Sequence, residues 1–319
     1  MSGARQRKSN EETRAPLMEE VSEAIHQIEE KAINSLLWAW QELPEWMQDN
    51  IFITGGYRKE LKSFKECGRS LFYLHNEWVN IWSHLLGAVA AFFVLSSIYF
   101  WLLSHPGSAN WADYAVFYTF LISAITCLGF SATFHAVSAH SHEVAVAYNR
   151  LDYLGIVILI VGSFYPAVYY GFYLHPYLQV FYIVLITVFG AATVYVVVAP
   201  HYRTPTYRWM RTSMFLALGL SAVFPTGHFT FLSGLNDPLV RISVPYLALM
   251  GALYVSGALI YASRIPERWI PGKVNIFGSS HQIFHLFVVL AALSHLVGIS
   301  KTFNYWHGPE GVARVVQHS

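Results

Sequence analysis

Residues 280–299 read Ser280-His281-Gln-Ile-Phe-His285-Leu-Phe-Val-Val-Leu-Ala-Ala-Leu-Ser-His295-Leu-Val-Gly-Ile299. A stretch this apolar and this long matches the roughly 20 residues that a helix needs to cross the hydrocarbon core of a bilayer. Embedded in it are two imidazoles four residues apart, the spacing at which one helix face presents two metal ligands. One segment thus carries both the fold class, a membrane-spanning helix, and the first sign of chemistry.

Working outward from this segment, which begins near Phe277, six more apolar runs start near Val79, Ala112, Asp152, Tyr177, Trp209 and Val244. The fifth contains Arg211, Pro225 and His228. The fold class expected is all-α, a seven-transmembrane helix bundle. Composition agrees: 55% of the 319 residues are hydrophobic, 12% are charged, and the mean hydropathy is +0.38, whereas water-soluble domains carry about twice that charge. A net charge of +1 without a clustered basic surface excludes nucleic acid as a partner. Cys67 and Cys127 are too few for a disulfide framework and lack the spacing of a thiolate metal site.

Residues 1–16 are polar and read as a disordered tail. Residues 17–76 read as an amphipathic or interfacial helical region. Val21, Ile25, Ile28, Ala32 and Leu36 recur at helical spacing, Trp38, Trp40 and Trp46 suit a membrane interface, and Pro44 ends or kinks the helix. A solvated helix with one apolar face fits that pattern equally well. The membrane domain follows over 77–301, with a short tail at 302–319. No apolar run occurs in the first sixty residues, so no cleavable secretory signal is expected.

Orientation follows from Lys and Arg, which are depleted in translocated short loops. Arg58, Lys59, Lys62, Lys65, Arg69, Arg150, Arg203, Arg208, Arg211, Arg264, Arg268 and Lys273 fall on one side, and only Arg241, Lys301 and Arg314 on the other. The N-terminus is therefore expected in the cytosol and the C-terminus outside or in a lumen.

Ionisable side chains inside a bilayer are costly, so each is a functional-site hypothesis. The second helix carries Ser131-Ala-Thr-Phe-His135, a hydroxyl and an imidazole one turn apart, and Asp152 is expected to open the third. At about 1.5 Å per residue, His135 lies roughly 7 Å deep and His281 and His285 roughly 6 to 12 Å deep, from the same face. Three neutral imidazoles in one layer suit zinc and leave a fourth position open, as in catalytic sites. The plainer alternative is a hydrogen-bonded packing role for His135. His295 lies about 15 Å further along the helix and is read as structural. His140 and His142 are read as solvated loop residues. Glu77, Asn80 and His84 share one face of the first helix and are read as a polar structural network rather than ligands.

The motifs in this order resemble the progestin and adiponectin receptor family, also called hemolysin III-like. The resemblance rests on Leu43-Pro-Glu-Trp46, Asp49-Asn50, Glu77 with Asn80-Ile-Trp-Ser-His84-Leu-Leu-Gly87, Leu151-Asp152-Tyr153, Gly162-Ser-Phe-Tyr-Pro166 and Pro271-Gly-Lys273. Ser280-His-Gln-Ile-Phe-His285 is similar to the adiponectin receptor branch in particular. It covers roughly residues 40 to 305.

This resemblance implies zinc ligands at His135, His281 and His285, with Asp152 and Ser131 as catalytic residues of the same site. It also implies ceramidase-like hydrolysis of a lipid amide, with ceramide as substrate or free fatty acid as product, and links to lipid, sterol and zinc homeostasis. Membrane lipids are the partners expected, an extracellular ligand stays open, and the location is the plasma membrane or endoplasmic reticulum. The other reading is a receptor or sensor whose zinc is a structural staple. A zinc transporter fits less well, since transport sites lie near the midplane between repeats and no repeat is present.

Overall fold

The computed structural model describes residues 36–104, 109–199 and 205–318. The tail over 1–16 and nearly all of the helix expected from Val21 to Leu36 lie outside the described residues. From residue 36 to 76 the chain forms a small antiparallel strand pair, β1 (Leu37–Trp38) with β2 (Tyr57–Arg58), two single 3-10 turns around Pro44, and the short helix α1 (Phe64–Ser70).

Seven apolar spans follow: α2 (Trp78–Leu103), α3 (Trp111–Val137), α4 (His142–Gly171), α5 (Pro176–Val198), the broken pair α6 (Arg208–Leu220) and α7 (Val223–Ser233), α8 (Pro238–Ser263) and α9 (Ser280–Trp306). Each is long and apolar enough to cross a membrane. Large apolar side chains such as Phe93, Val180, Phe181 and Phe231 face outward, an arrangement that water would penalise and lipid favours. The bundle is thus an all-α integral membrane protein that crosses the bilayer several times.

Local chemistry explains the helix ends. Asn110 accepts hydrogen bonds from the backbone N–H groups of Ala112 and Asp113 at the start of α3, and Ser141 caps α4. The fifth span breaks at Ser221–Ala222 because Pro225 cannot donate to a continuing ladder but fits the first turn of a new helix. The last residues, expected as a short tail, complete α9 and form helix α10 (Pro309–His318).

The third span begins ten residues earlier than the apolar pattern indicates. Ser141 caps it, and the helix runs through polar Glu143, Asn149 and Arg150 before its apolar stretch begins. Asp152 consequently sits three turns inside α4 rather than opening it. His142 is the first helical residue and His140 is half-buried, its ring 4.3 Å from that of Phe64. His140 thus lies in the connecting loop as expected but is not fully solvated, whereas His142 is exposed as expected but opens the helix instead of lying in the loop.

Helix α9 lies against α8, α2 and α4, and α3 is held closely between α2 and α4. Two glycines explain the α3–α4 approach. A Cβ at Gly155 would stand 2.9 Å from Cys127 Cα, and one at Gly162 would stand 2.1 Å from Ser123 Oγ. Small residues one heptad apart let the two backbones close up. In this antiparallel register, with Gly155 facing Cys127, Asp152 comes level with Ser131.

Candidate metal centre

Helix packing brings His135 of α3 together with His281 and His285 of α9. One ring nitrogen from each lies within 4.8 Å of the others, and the three rings stand nearly perpendicular, with centroids 4.8 Å apart in every pair. His135 and His285 are buried and His281 is half-buried. Among the described residues this is the one group of three or more side chains able to hold a metal ion.

The donor set suits a metal by the state of its ring nitrogens. His135 Nδ1 is 2.6 Å from Glu77 Oε2, while its Nε2 is buried with no hydrogen-bond partner. His285 Nδ1 donates to the Asn80 carbonyl at 3.1 Å. Metal-binding histidines are oriented in this way, the outer N–H given to a carboxylate or carbonyl and the inner lone pair directed at the ion. An imidazole nitrogen left unpaired in a bilayer interior would otherwise be a net cost.

Glu77, Asn80 and His84 are therefore more than a structural network. All three project from the first turns of α2 toward the ligands. Glu77 also accepts from Asn80 Nδ2 at 2.7 Å. His84 stacks on His285, centroids 3.6 Å apart and planes 3° from parallel, with its Nε2 3.3 Å from the His285 carbonyl. Burial works against the Glu77 carboxylate, yet contact with His135, helped by Asn80, holds its pKa well below the usual carboxylate range. His75 accepts from the Glu77 backbone N–H at 3.1 Å. Burial, reinforced by the Arg58 charge, pushes the pKa of His75 down to about 3, so it acts as a neutral acceptor.

Two further residues fix the helices that carry the ligands, and neither has a local sequence signal. Arg58 is buried and donates to the carbonyls of His135 at 2.6 Å and Ala136 at 2.7 Å, satisfying groups that the end of α3 leaves unpaired. Glu267, also fully buried, accepts from Ser280 N at 2.8 Å and from the Ser280 hydroxyl, so a carboxylate meets the positive end of α9 one residue before His281. Gln282 completes a capping box with Ser279.

Ser131 and Asp152 stand beside the histidines. Both are buried, Asp152 interacts with His135 and Ser131, and Ser131 Oγ makes no hydrogen bond of good geometry. Ser131, Asp152, His281 and His285 all line a cavity of about 810 Å³ that is walled by α4, α6–α7, α8 and α9, with contributions from α2 and α3, and extends as far as Thr302. Most of its lining is apolar, with Phe164, Val168, Phe215, Leu247 and Val288 among the contributors. On the other side of the centre, Glu77, Asn80 and His281 border a polar pocket of about 100 Å³, together with Tyr57, Arg208, Arg264 and Glu267.

Seven spanning helices around a buried three-histidine group define a membrane protein whose intramembrane centre can hold a metal ion. The sequence matches the haemolysin-III related family over residues 72–296, and the chain belongs to that family. It is 43% identical over 267 residues to the adiponectin receptor protein of Drosophila melanogaster, covering 83% of this chain and 59% of the relative. It is 41% identical over 263 residues to progestin and adipoQ receptor-like protein 1 of Caenorhabditis elegans, covering 82% and 60%. The match to the ADIPOR-like receptor IZH2 of Saccharomyces cerevisiae is 39% over 282 residues, 87% of each chain. The chain thus spans about three fifths of the fly and nematode relatives and most of the yeast one.

Proposed function

We propose that this chain is a zinc-dependent intramembrane lipid-amide hydrolase of the adiponectin receptor type, ceramidase-like in its chemistry. The observation that carries the reading is a shared wall: His281, His285, Ser131 and Asp152 line one end of a long apolar cavity. Three imidazoles without thiolates favour zinc over softer or purely oxygen-bound ions. His135, His281 and His285 would hold it, and zinc in that position supplies Lewis acidity and makes water acidic near neutral pH.

The chain's own groups account for the remaining chemistry. An acyl chain fills the apolar cavity, leaving its amide at the histidine end. Asp152 accepts a proton from the attacking water as the new C–O bond forms, and returns it to the nitrogen as the C–N bond breaks. The Ser131 hydroxyl, which has no well-formed hydrogen bond within the protein, donates to the carbonyl oxygen as it gains charge. Glu77 keeps His135 oriented throughout. Fatty acid and a free amine, such as a sphingoid base, are the products. We place the histidine end at the cytosolic face, following the excess of Lys and Arg there, so the polar pocket beside Glu77 and His281 provides water with a route from the cytosol.

The test is fatty-acid release from a series of N-acyl sphingoid bases by the purified full chain and by Asp152→Ala, read by mass spectrometry. Release by the wild type and its loss in the zinc-replete variant are expected. Equal release by both, or none from any ceramide, overturns the hydrolase and favours a zinc that only joins α3 to α9.

A further inference from the structure

The large cavity has a definite depth and a packed floor. At the metal end it is bounded by Tyr261 of α8, whose ring centroid lies 4.9 Å from that of His281, and by Arg208 of α6, 5.6 Å from the centre of the Tyr261 ring. At the other end its lining stops at Tyr170 of α4, Ser243 of α8 and Thr302 of α9. Phe303 and Trp306, in the next turn of α9, are buried, and Trp306 Nε1 donates to the Tyr170 carbonyl at 2.9 Å. Helix α9 is also pinned to α8 there. Ser294 Oγ donates to the Tyr246 carbonyl at 3.1 Å, and a Cβ at Gly298 would stand 2.7 Å from Tyr246 Cβ. The hydroxyls of Thr302 and Ser243 donate to carbonyls of their own helices, at 2.6 and 2.7 Å. With those donors already used, the floor suits the methyl end of a chain rather than a polar head.

Thr302 lies seventeen residues beyond His285, about 25 Å along the helix. An extended carbon chain advances about 1.2 Å per bond, as the three bonds of each residue carry an extended polypeptide about 3.5 Å. A chain with its polar end at the histidines therefore reaches the floor after roughly 20 carbons.

Two glycines mark the middle of this depth. In a spanning helix, glycine ordinarily lets another backbone approach closely, as Gly155 and Gly162 do. Gly219 of α6 and Gly251 of α8 do not: a Cβ added at either would meet no atom within 4 Å. Both belong to cavity-lining stripes at helical spacing, Thr212, Phe215 and Gly219 on α6, and Ala248, Gly251 and Val255 on α8. Gly219 lies eleven residues from Arg208 and Gly251 ten from Tyr261, so each stands about 15 Å from the metal end. What their missing side chains leave is bore, on two different walls at one level.

We propose that the cavity measures its lipid, with Gly219 and Gly251 keeping the bore open at half depth and the floor at Thr302 limiting the acyl chain to roughly 20 carbons. The inference rests on the reading that an acyl chain fills the cavity with its polar end at the histidines, but not on whether that lipid is hydrolysed.

Competitive binding to the purified full chain in detergent micelles tests this. The probes are an equimolar mixture of saturated fatty acids lengthened two carbons at a time from about 12 to about 24 carbons, and native mass spectrometry reads which acids, and how much zinc, each protein retains. The wild type is expected to hold every acid up to about 20 carbons and to bind the 24-carbon acid about tenfold less. Gly251→Leu puts a side chain into open bore and replaces a poor helix former, so it should fold, keep its zinc and move the limit to about 12 carbons. Gly219→Leu should do the same from the other wall. A wild type without a length limit, or a zinc-loaded Gly251→Leu or Gly219→Leu protein whose limit stays where it was, overturns the ruler. Retention of no acid at all overturns the lipid-filled cavity as well. Because no turnover is read, a negative result for hydrolysis leaves this outcome unaffected.

Discussion

Each end of the bundle buries a histidine against a carboxylate, and the two pairs are built differently. At one end His135 Nδ1 meets Glu77 at 2.6 Å, and the far side of the ring points at His281 and His285. At the other, His307 Nε2 lies 3.1 Å from Asp113, whose carboxylate also accepts from Tyr170 Oη at 2.9 Å and Asn110 N at 2.8 Å. There Phe303 and Tyr173 pack against the imidazole, and among the described residues no group of three metal-ligating side chains includes it. A histidine–carboxylate pair is thus a staple when its surroundings are closed and a support for chemistry when the second nitrogen is left for another partner. The decisive feature is what else the ring meets: two further imidazoles at His135, aromatic rings at His307.

The largest expected effect separates the two ends outright. His281→Ala or His285→Ala should abolish stoichiometric zinc binding, while His307→Ala keeps the full metal content, both measured by elemental analysis of purified protein. Zinc retained in His281→Ala and lost in His307→Ala would reverse the assignment.

The two buried acids sharpen the contrast. Asp113→Asn should lower stability by about 3 kcal/mol, since it breaks a buried pair that several donors satisfy, and this is read as a fall in thermal midpoint. Asp152→Asn should leave stability nearly unchanged and cut fatty-acid release about 100-fold or more with zinc still bound. Comparable stability losses with no difference in turnover would make Asp152 a second staple.

How much of this was legible before folding differs between the same regions. The seven spans and three histidines could be read because hydropathy, helical spacing and loop charge are local signals. The roles of Glu77, Arg58 and Glu267 could not. Glu77 and His135 are 58 residues apart, and nothing in either segment encodes the approach of α2 to α3. The face shared by Glu77, Asn80 and His84 was visible, but which ligand each supports depends on packing. Asp152 was placed too near the helix start because an apolar run marks where a helix enters lipid, whereas Ser141 begins it three turns earlier. The break in the fifth span was legible in Pro225, and the cavity, assembled from six spans, was not.

A smaller effect tests the support at the metal end alone. Glu77→Gln should weaken zinc by about 10- to 100-fold without removing it, measured by chelator competition. No change would mean that His135 is oriented by its helix without the carboxylate.

The smallest effect is one of pH. Because the Glu77 pKa is depressed in the fold, its stabilising contribution is fully present above the ordinary carboxylate value and is lost only as pH falls through the depressed one. Between pH 7 and about 5 Glu77 should stay ionised and contribute no change of its own to zinc retention. Wild type and Glu77→Gln should accordingly lose zinc along parallel curves in that window. A steeper wild-type curve would show Glu77 titrating within it.

The most direct test of the central claim is zinc K-edge absorption on the purified full chain. The account expects one zinc per chain, with three imidazole nitrogens at about 2.0–2.1 Å, no sulfur and no fourth protein ligand. Protein that stays zinc-free when the metal is supplied, or a coordination sphere closed by a fourth side chain, would contradict it.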